Sequence, residues 1–152
     1  MTNLAVIILQ KNEKLHIRRC LERLAPLEPQ QIFVVDCYST DGSDQIARQM
    51  GAIVVQHAWP GLYAKQFNWA LDNLPIQTKW ILRLDADEYL YPETCEEVKK
   101  VMAEGLPEDV TSLSLSRASV LRPQASLWRH GAYSHGALLP IRHRALPRPR
   151  DG

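Results

Sequence analysis

Three carboxylates within four residues, Asp85, Asp87 and Glu88, are the side chains of this sequence best suited to chemistry. They follow the mostly apolar run 80–84, which predicts a buried strand of an α/β sheet. Ligands of such sheets bind beyond the carboxyl ends of the strands, where these acids would project. Asp85 and Asp87 would supply hard oxygen ligands for Mg²⁺ or Mn²⁺ carrying a substrate phosphate. The same acids could instead cap a helix beginning near Pro92 or lie solvated in a turn.

Polar residues also follow two other predicted strands. The apolar run 4–9 leads into a polar loop, and the run 31–35 ends at Asp36. Because the carboxyl ends of parallel strands meet at one edge of a sheet, these residues would lie near the acids that follow run 80–84. Three polar clusters at three strand ends favour a binding site over helix capping. The loop after the first run contains Lys11, Asn12 and Glu13.

The rest of the pattern alternates strands with helices. A third strand is expected at 52–55, and Ser43 is predicted to cap a helix through Met50 that Gly51 terminates. The segment 112–116 alternates with a period of two, as in a half-exposed strand. This order predicts an α/β fold, with an open, largely parallel, doubly wound sheet and helices on both faces. Helical apolar stripes are formed by Ile17, Leu21 and Leu24, by Phe67, Ala70, Leu71 and Leu74, and by Cys95, Val98 and Met102.

The composition is that of a soluble globular protein. Of 152 residues, 45% are hydrophobic and 23% are charged. We expect an α/β core over 1–122 and a basic Pro/Arg-rich segment over 123–152. Three cysteines without metal-ligand spacing are typical of a reduced protein. The run 4–9 is too short for a signal peptide or a membrane span, so a cytoplasmic protein is expected.

Positive charge is concentrated after Asp109, although the net charge is only +1. Seven arginines follow against one acid, Asp151. Such a region could contact anionic lipid headgroups at the inner face of the plasma membrane, or a phosphorylated acceptor. A solvated tail is the favoured interpretation for 142–152, and no nucleic-acid partner is expected. The arginines are Arg117, Arg122, Arg129, Arg142, Arg144, Arg148 and Arg150.

The glycine pattern excludes two phosphate-binding motifs. The loop 10–13 after the first strand contains no glycine, whereas a dinucleotide-binding domain needs Gly-x-Gly-x-x-Gly there, and the sequence has no P-loop. A phosphate would therefore be held by a cation on the Asp-x-Asp motif. A phosphotransferase using Asp-x-Asp as nucleophile is disfavoured, since the motif lies mid-chain and precedes Glu88 and Tyr89. A nucleotidyltransferase is the closer enzymatic alternative, although the first loop lacks the expected glycine and arginine.

Four segments, 8–13, 34–43, 64–70 and 84–88, share one family pattern in its order and spacing. Together they resemble the glycosyltransferase family 2 enzymes of the GT-A fold. The chain is most similar to the bacterial branch that adds hexoses in lipopolysaccharide-core or related surface-glycan synthesis. The segment 128–131 resembles the family more loosely.

The resemblance implies a nucleotide-sugar donor, UDP-linked, and a glycan or lipid-linked acceptor. Asp36 would accept a hydrogen bond from the nucleobase, and Glu13 with the Lys11 loop would flank the nucleoside. Asp41, Lys65 and Asn68 would shape the nucleotide pocket. The implied donor-binding residues are Lys11, Asn12, Glu13, Asp36, Asp41, Lys65, Asn68 and Asp85.

The resemblance also implies a divalent metal, Mg²⁺ or Mn²⁺. Asp87 would ligate the ion that bridges the diphosphate, with Asp85 beside it near the ribose. These two acids and Glu88 are the candidate catalytic residues. Glu88 could replace the general base, although a partner for Arg83 or a cap is the favoured role for this side chain.

Family members usually continue for about 100 residues beyond this length, which is the size of a small domain. The inverting enzymes draw their general base from that later region, and the pattern here departs from the family after Ala137. The resemblance therefore implies a complete donor half and an incomplete acceptor half. A nucleotide-sugar-binding remnant or interaction module without activity is the competing hypothesis.

Overall fold

In the computed structural model of the chain, residues 1–107, 113–115 and 137–140 are described. Within them the sequence forms six strands, four α-helices and one turn of 3₁₀ helix. The strands are β1 (Thr2–Gln10), β2 (Pro29–Asp36), β3 (Ile53–Gln56), β4 (Trp80–Asp85), β5 (Leu113–Ser114) and β6 (Ala137–Pro140). The helices are α1 (Ile17–Glu22), α2 (Ser43–Gln49), α3 (Tyr63–Asn73) and α4 (Pro92–Glu104), with the 3₁₀ turn at Ala25–Leu27.

The strands form one sheet in the order β3-β2-β1-β4-β6-β5. Strands β1 to β4 are parallel, and β6 runs antiparallel to both β4 and β5. Gln10 of β1 pairs with Asp36 of β2, and Leu9 pairs with Asp85 of β4. The three predicted polar clusters therefore share one edge of the sheet. Because β2 and β4 lie on opposite sides of β1, the strand order reverses beside β1, which is where sheets of this kind bind ligands.

Both faces of the sheet are covered by helices. Side chains of β1 alternate between the faces, so that Ile8 packs towards α1, α2 and α4 while Ile7 packs towards α3. Both isoleucines are fully buried. Such two-sided burial explains why β1 is a continuous apolar run rather than an alternating one. It also confirms the predicted doubly wound arrangement.

The start of α2 differs from the prediction that Ser43 is its N-cap. Gly42 occupies that position with φ of 85°, and Ser43 is the first helical residue. The Asp41 carboxylate accepts hydrogen bonds from the backbone N–H of Ser43 (3.0 Å) and from its hydroxyl (2.6 Å). The prediction was wrong because the left-handed Gly42 carries Asp41 back over the first turn, where its longer side chain reaches the free N–H groups. Gly51, with φ of 89°, follows the helix as expected.

Parts of the predicted C-terminal organisation lie outside the described residues. Strand β5 (Leu113–Ser114) lies within the segment predicted at 112–116, of which residues 112 and 116 lie outside the described residues. Strand β6 joins the core sheet beside β4. The boundary at residue 122 stays a prediction, as do the placements of the seven arginines after Asp109 and of segment 128–131. In the described part of the chain, no helix is long and apolar enough to span a membrane.

The central position of β4 leads to a stability prediction. Leu82 is fully buried in the core beneath α1 and α4, so Leu82→Ala should lower the free energy of unfolding by about 2–5 kcal/mol through lost burial and a residual cavity. Urea denaturation measures this change. Leu15→Ala is the control, because Leu15 is 88% exposed and its loss should change stability by less than about 0.5 kcal/mol. Equal effects of both substitutions would contradict the assigned core.

Candidate functional site

Acidic side chains converge where the strand order reverses, between the ends of β1 and β4. Partial burial raises the pKa of Glu13 most, and the negative charge of Asp87 raises it further. His16 lowers it, and Asp41 and Asp85 make smaller contributions that raise it. His16 Nε2 lies 4.0 Å from a carboxylate oxygen of Glu13. The acids that follow β1, β2 and β4 therefore contribute to one negative electrostatic region. A cation placed there would relieve their repulsion.

The three acids after β4 have different surroundings. Asp85 is 9% exposed, and its Oδ1 accepts a hydrogen bond from Arg83 Nη2 (3.2 Å). Glu88 folds back so that its Oε2 accepts a hydrogen bond from the backbone N–H of Asp85 (2.9 Å), while its own N–H donates to the Asp85 carbonyl (2.9 Å). Asp87 is exposed and forms no hydrogen bond or ion pair with any described residue. Asp87 is thus the acid of this group whose carboxylate is directed neither into the fold nor into the turn.

The geometry gives Glu88 the capping role that the sequence favoured for it. The side chain closes the turn that follows β4, and the N–H of Ala86 donates to the Leu9 carbonyl (3.0 Å) to fix the same turn against β1. Arg83 lies on the α3 side of β4, with its guanidinium 5.9 Å from the ring centroids of both Tyr63 and Phe67. Arg83, packed against these rings, holds the Asp85 carboxylate by its hydrogen bond, whereas Asp87 is exposed.

The loop after β1 is joined to the loop after β2 by side chains that the sequence predicted to bind a donor. Lys11 Nζ donates to the carbonyls of Cys37 (2.7 Å) and Tyr38 (2.9 Å). Asn12 Oδ1 accepts a hydrogen bond from the N–H of Thr40 (2.8 Å). The two loops therefore form one rigid surface beside the acids.

A second set of contacts strengthens this junction. The N–H of Asn12 donates to Ser39 Oγ (2.8 Å), and the N–H of Lys14 donates to Asp41 Oδ2 (2.9 Å). Burial alone would raise the pKa of Asp41, but hydrogen bonds from Ser43, Lys14 and its own N–H lower it below its usual value. Asp41 is therefore ionised at neutral pH, and its two oxygens connect the first loop to the start of α2.

Asp36 is the centre of the junction and has no exposed surface. Its Oδ1 accepts hydrogen bonds from Gln10 Nε2 (2.8 Å) and Ser39 Oγ (2.5 Å), and its Oδ2 accepts one from the Ser39 N–H (2.8 Å). Burial acts to raise the pKa of Asp36, but these hydrogen bonds and one from the Gln56 side chain lower it overall. A nucleobase could reach this carboxylate only if Ser39 moved, so the predicted contact with the base stays a prediction.

Sequence reasoning missed a group of buried amides and a histidine around Asp36. Gln10, Asp36 and Gln56 are paired across β1, β2 and β3 at the same register. Gln66 is fully buried on α3, where its side chain contacts His57 Nδ1 (2.6 Å) and Cys37 Sγ (3.2 Å). The available signal was a polar residue ending each strand and a glutamine within the apolar stripe of α3.

Tyr38 has an uncommon backbone conformation. Its φ is 54°, which costs a non-glycine residue about 1–2 kcal/mol relative to ordinary conformations. The Tyr38 N–H donates to Gln56 Oε1 (3.0 Å) and its carbonyl accepts from Lys11 Nζ. Tyr38 as a whole is 58% exposed. Hydrogen bonds to neighbouring strand ends therefore hold the backbone, while more than half of the residue stays accessible to solvent.

The predicted residues on α3 are less closely connected to the site. Lys65 is exposed and Asn68 is half-buried, and neither forms a hydrogen bond or ion pair with the described residues. Trp69 packs against the core on the α3 face and stacks on His57, with ring centroids 3.8 Å apart. Trp69 is therefore a core residue of the α3 face. Lys65 and Asn68 stay predicted pocket residues.

A metal ion fits the acids only in part. Across 1–107, 113–115 and 137–140, no group of three or more His, Cys, Asp or Glu side chains is arranged to hold an ion. The exposed Asp87 offers the hard oxygen that Mg²⁺ and Mn²⁺ prefer, within the negative region that raises the pKa of Glu13. An ion on Asp87 would need further oxygen ligands from a bound phosphate or from water, which is the usual arrangement for magnesium.

Comparison with known proteins identifies the family. The chain matches the family described as "Glycosyl transferase family 2" over residues 5–137. It is 35% identical over 103 residues to an uncharacterized glycosyltransferase of Rickettsia felis, covering 68% of this chain and 35% of that protein. A second, from Rickettsia typhi, is 32% identical over 103 residues, with 68% and 34% coverage. The chain belongs to glycosyl transferase family 2, and it spans about a third of the length of these curated relatives.

Solved structures with the same fold have little sequence identity to the chain. The mannosyltransferase PcManGT from Pyrobaculum calidifontis, in complex with GDP-Man and Mn²⁺, has a TM-score of 0.65 at 20% identity, covering 91% of this chain and 44% of that one. Glucosyl-3-phosphoglycerate synthase from Mycobacterium tuberculosis, in complex with Mn²⁺, UDP and glucosyl-3-phosphoglycerate, has a TM-score of 0.62 at 16% identity, with 90% and 56% coverage. The predicted GT-A-like α/β fold is confirmed.

The Asp36 network yields a pH-dependent prediction. Because the folded-state pKa of Asp36 is lowered, its contribution to stability is complete above the unfolded-state pKa and is lost as the pH falls through the folded-state value. Asp36→Asn should reduce the free energy of unfolding at pH 7 by about 2–3 kcal/mol, since an amide cannot accept all of these hydrogen bonds. Below about pH 4 the difference from the wild type should shrink.

Denaturant titrations between pH 3 and pH 7 measure this difference. Asp72→Asn is the matched control, because Asp72 is exposed on α3 and its neutralisation should leave stability within about 0.5 kcal/mol at every pH. If the free energies of unfolding of Asp36→Asn and the wild type differ by the same amount down to pH 3, Asp36 is not a stabilising ionised carboxylate in the folded protein.

Proposed function

We propose that the chain forms the donor-binding part of an inverting glycosyltransferase. The enzyme moves a hexose from a UDP-linked nucleotide sugar to a glycan or lipid-linked acceptor and uses Mg²⁺ or Mn²⁺. The supporting observation is the exposed Asp87 carboxylate within the negative region formed by Glu13, Asp85 and Asp41, at the reversal of the strand order. Neighbouring structures bound to nucleoside diphosphate compounds and Mn²⁺ have the same fold.

In this proposal Asp87 is the main protein ligand of the metal. When bound, such an ion neutralises the negative charge that develops on a departing nucleoside diphosphate. Asp85 accepts a hydrogen bond from Arg83, and its proposed position is near the ribose of the donor. Glu13 lies in the loop that follows β1 and flanks the nucleoside of the donor.

The joined loops after β1 and β2 form the nucleoside side of the proposed site. Lys11 and Asn12 act by fixing the backbone of residues 37–40, and Asp41 fixes the start of α2. Lys65 and Asn68 line the pocket from α3, which begins after β3 at the same edge of the sheet. A rigid nucleoside surface lowers the entropy cost of binding the donor.

The acceptor side is proposed from the family resemblance. We infer an acceptor of lipopolysaccharide-core or surface-glycan type at the cytoplasmic face of the membrane, with the arginines after Asp109 available for its phosphates or for anionic headgroups. A general base for the acceptor hydroxyl is expected in the region that longer family members carry. Glu88 remains a candidate base, although its carboxylate holds the Asp85 backbone here.

One observation favours a second candidate, donor binding without transfer. Among the acids after β4, Asp85 and Glu88 both have hydrogen-bonded roles within the fold, which leaves Asp87 for the metal and no further exposed acid in that turn to take a proton. A chain of this kind would bind a nucleotide sugar as a remnant or interaction module. Release of the nucleoside diphosphate product in the presence of acceptor separates the two candidates.

Calorimetric titration of UDP, with and without Mn²⁺, tests the donor site. We expect Mn²⁺ to strengthen UDP binding to the wild type. Asp87→Ala should weaken UDP binding in Mn²⁺ at least tenfold, which is about 1.4 kcal/mol. Asp72→Ala removes an exposed acid from α3 and should bind like the wild type.

The same titration with GDP tests which nucleobase the donor carries, since PcManGT was solved with GDP-Man. Stronger binding of GDP than of UDP would replace the UDP assignment. If a folded wild type binds neither nucleotide in Mn²⁺, the donor-binding proposal is wrong.

A further inference from the structure

Tyr38 combines two features that core packing does not explain. Its backbone lies in the left-handed region, with φ of 54°, where a bulky non-glycine residue is uncommon. Tyr38 is 58% exposed, so burial does little to offset the unfavourable conformation. Glycine or asparagine would adopt this conformation more readily. Unfavourable backbone conformations of this kind concentrate at ligand-binding positions.

The surrounding contacts fix Tyr38 from three directions. Its N–H donates to Gln56 Oε1 at the end of β3, and its carbonyl accepts from Lys11 Nζ after β1. The next residue, Ser39, is held by the buried Asp36 at the end of β2. The ring is thus presented from a backbone that three strand ends hold in place.

The position of Tyr38 relative to the acids matches the length of a nucleotide. Asp87 follows β4 and Tyr38 follows β2, with β1 between them. Neighbouring strands are about 4.8 Å apart, so these two strand ends are separated by about 10 Å. That span is suitable for a diphosphate at the acids and a base over the second loop. The ring of Tyr38 offers a flat π surface there.

We propose that Tyr38 is the platform on which the nucleobase of the donor stacks. This inference rests on the proposed function, because it assigns one subsite of the same donor site. The stacking surface accepts any base, and the rigid backbone makes the ring available without ordering cost on binding. Asp36 contributes by holding the loop in position.

The test compares Tyr38→Gly with Tyr38→Phe, using UDP and inorganic pyrophosphate as probes in Mn²⁺. Tyr38→Gly should weaken UDP binding by about tenfold through loss of stacking, whereas Tyr38→Phe keeps the ring and should bind UDP within about twofold of the wild type. Pyrophosphate has no base, so all three proteins should bind it equally. Glycine is at ease at positive φ, so the Tm of Tyr38→Gly should equal or exceed that of the wild type.

The possible outcomes separate this inference from the donor-binding proposal. Unchanged UDP affinity in Tyr38→Gly, with metal-dependent binding in the wild type, overturns the stacking role and leaves the donor site standing. An equal loss of UDP and pyrophosphate affinity also overturns it, because the residue would then act on loop geometry rather than on the base. If the wild type binds neither UDP nor GDP, the donor site and its base platform are both refuted. If it binds GDP alone, GDP replaces UDP in the same comparison.

Discussion

The buried carboxylate of Asp36 is the interaction on which the site depends. An unpaired ionised group without exposed surface would be strongly unfavourable, so Asp36 is tolerable only with its hydrogen bonds from Gln10, Ser39 and Gln56. Each donor comes from a different part of the carboxyl edge, and satisfying the charge therefore brings these parts together. The buried charge of Asp36 thus requires these donors, and their positions at the carboxyl edge depend on Asp36 in turn.

This constraint divides the edge of the sheet into two parts with different properties. Around β1, β2 and β3 the polar groups are mutually hydrogen-bonded and form a rigid surface. Between β1 and β4, burial and then the negative charge of Asp87 raise the pKa of Glu13, and Asp41 and Asp85 add to this. In the first part the fold itself satisfies the buried Asp36 carboxylate, although Gln10 Oε1 has no hydrogen-bond partner among the described residues. In the second part, a bound cation would reduce the repulsion between the acids. A single short stretch of β1, ending at Gln10, borders both.

The fold could be predicted from the sequence because its main strands are continuous apolar runs and each ends in a recognisable polar residue. Asp36 and Asp85 were placed correctly at one edge from this pattern alone. The orientation of side chains beyond the strand ends could not be read in the same way. Whether Asp36 faces a ligand or Ser39, and whether Glu88 is free or folded back, depends on loop dihedrals that periodicity does not encode. For the same reason the Asp41 side chain, and not that of Ser43 as predicted, accepts the hydrogen bonds at the start of α2, because its position depends on φ at Gly42.

The antiparallel pairing of β6 with β4 has a consequence for how the chain folds during synthesis. Strands β1 to β4 are all made before Ala137, so β4 has one unpaired edge until β6 arrives. An apolar strand with an open edge is a template for pairing with another chain. The long sequence separation between β4 and β6 also makes this step slow relative to the local βαβ units. A longer interval between the synthesis of β4 and that of β6 leaves this edge open for longer and favours its pairing with another chain.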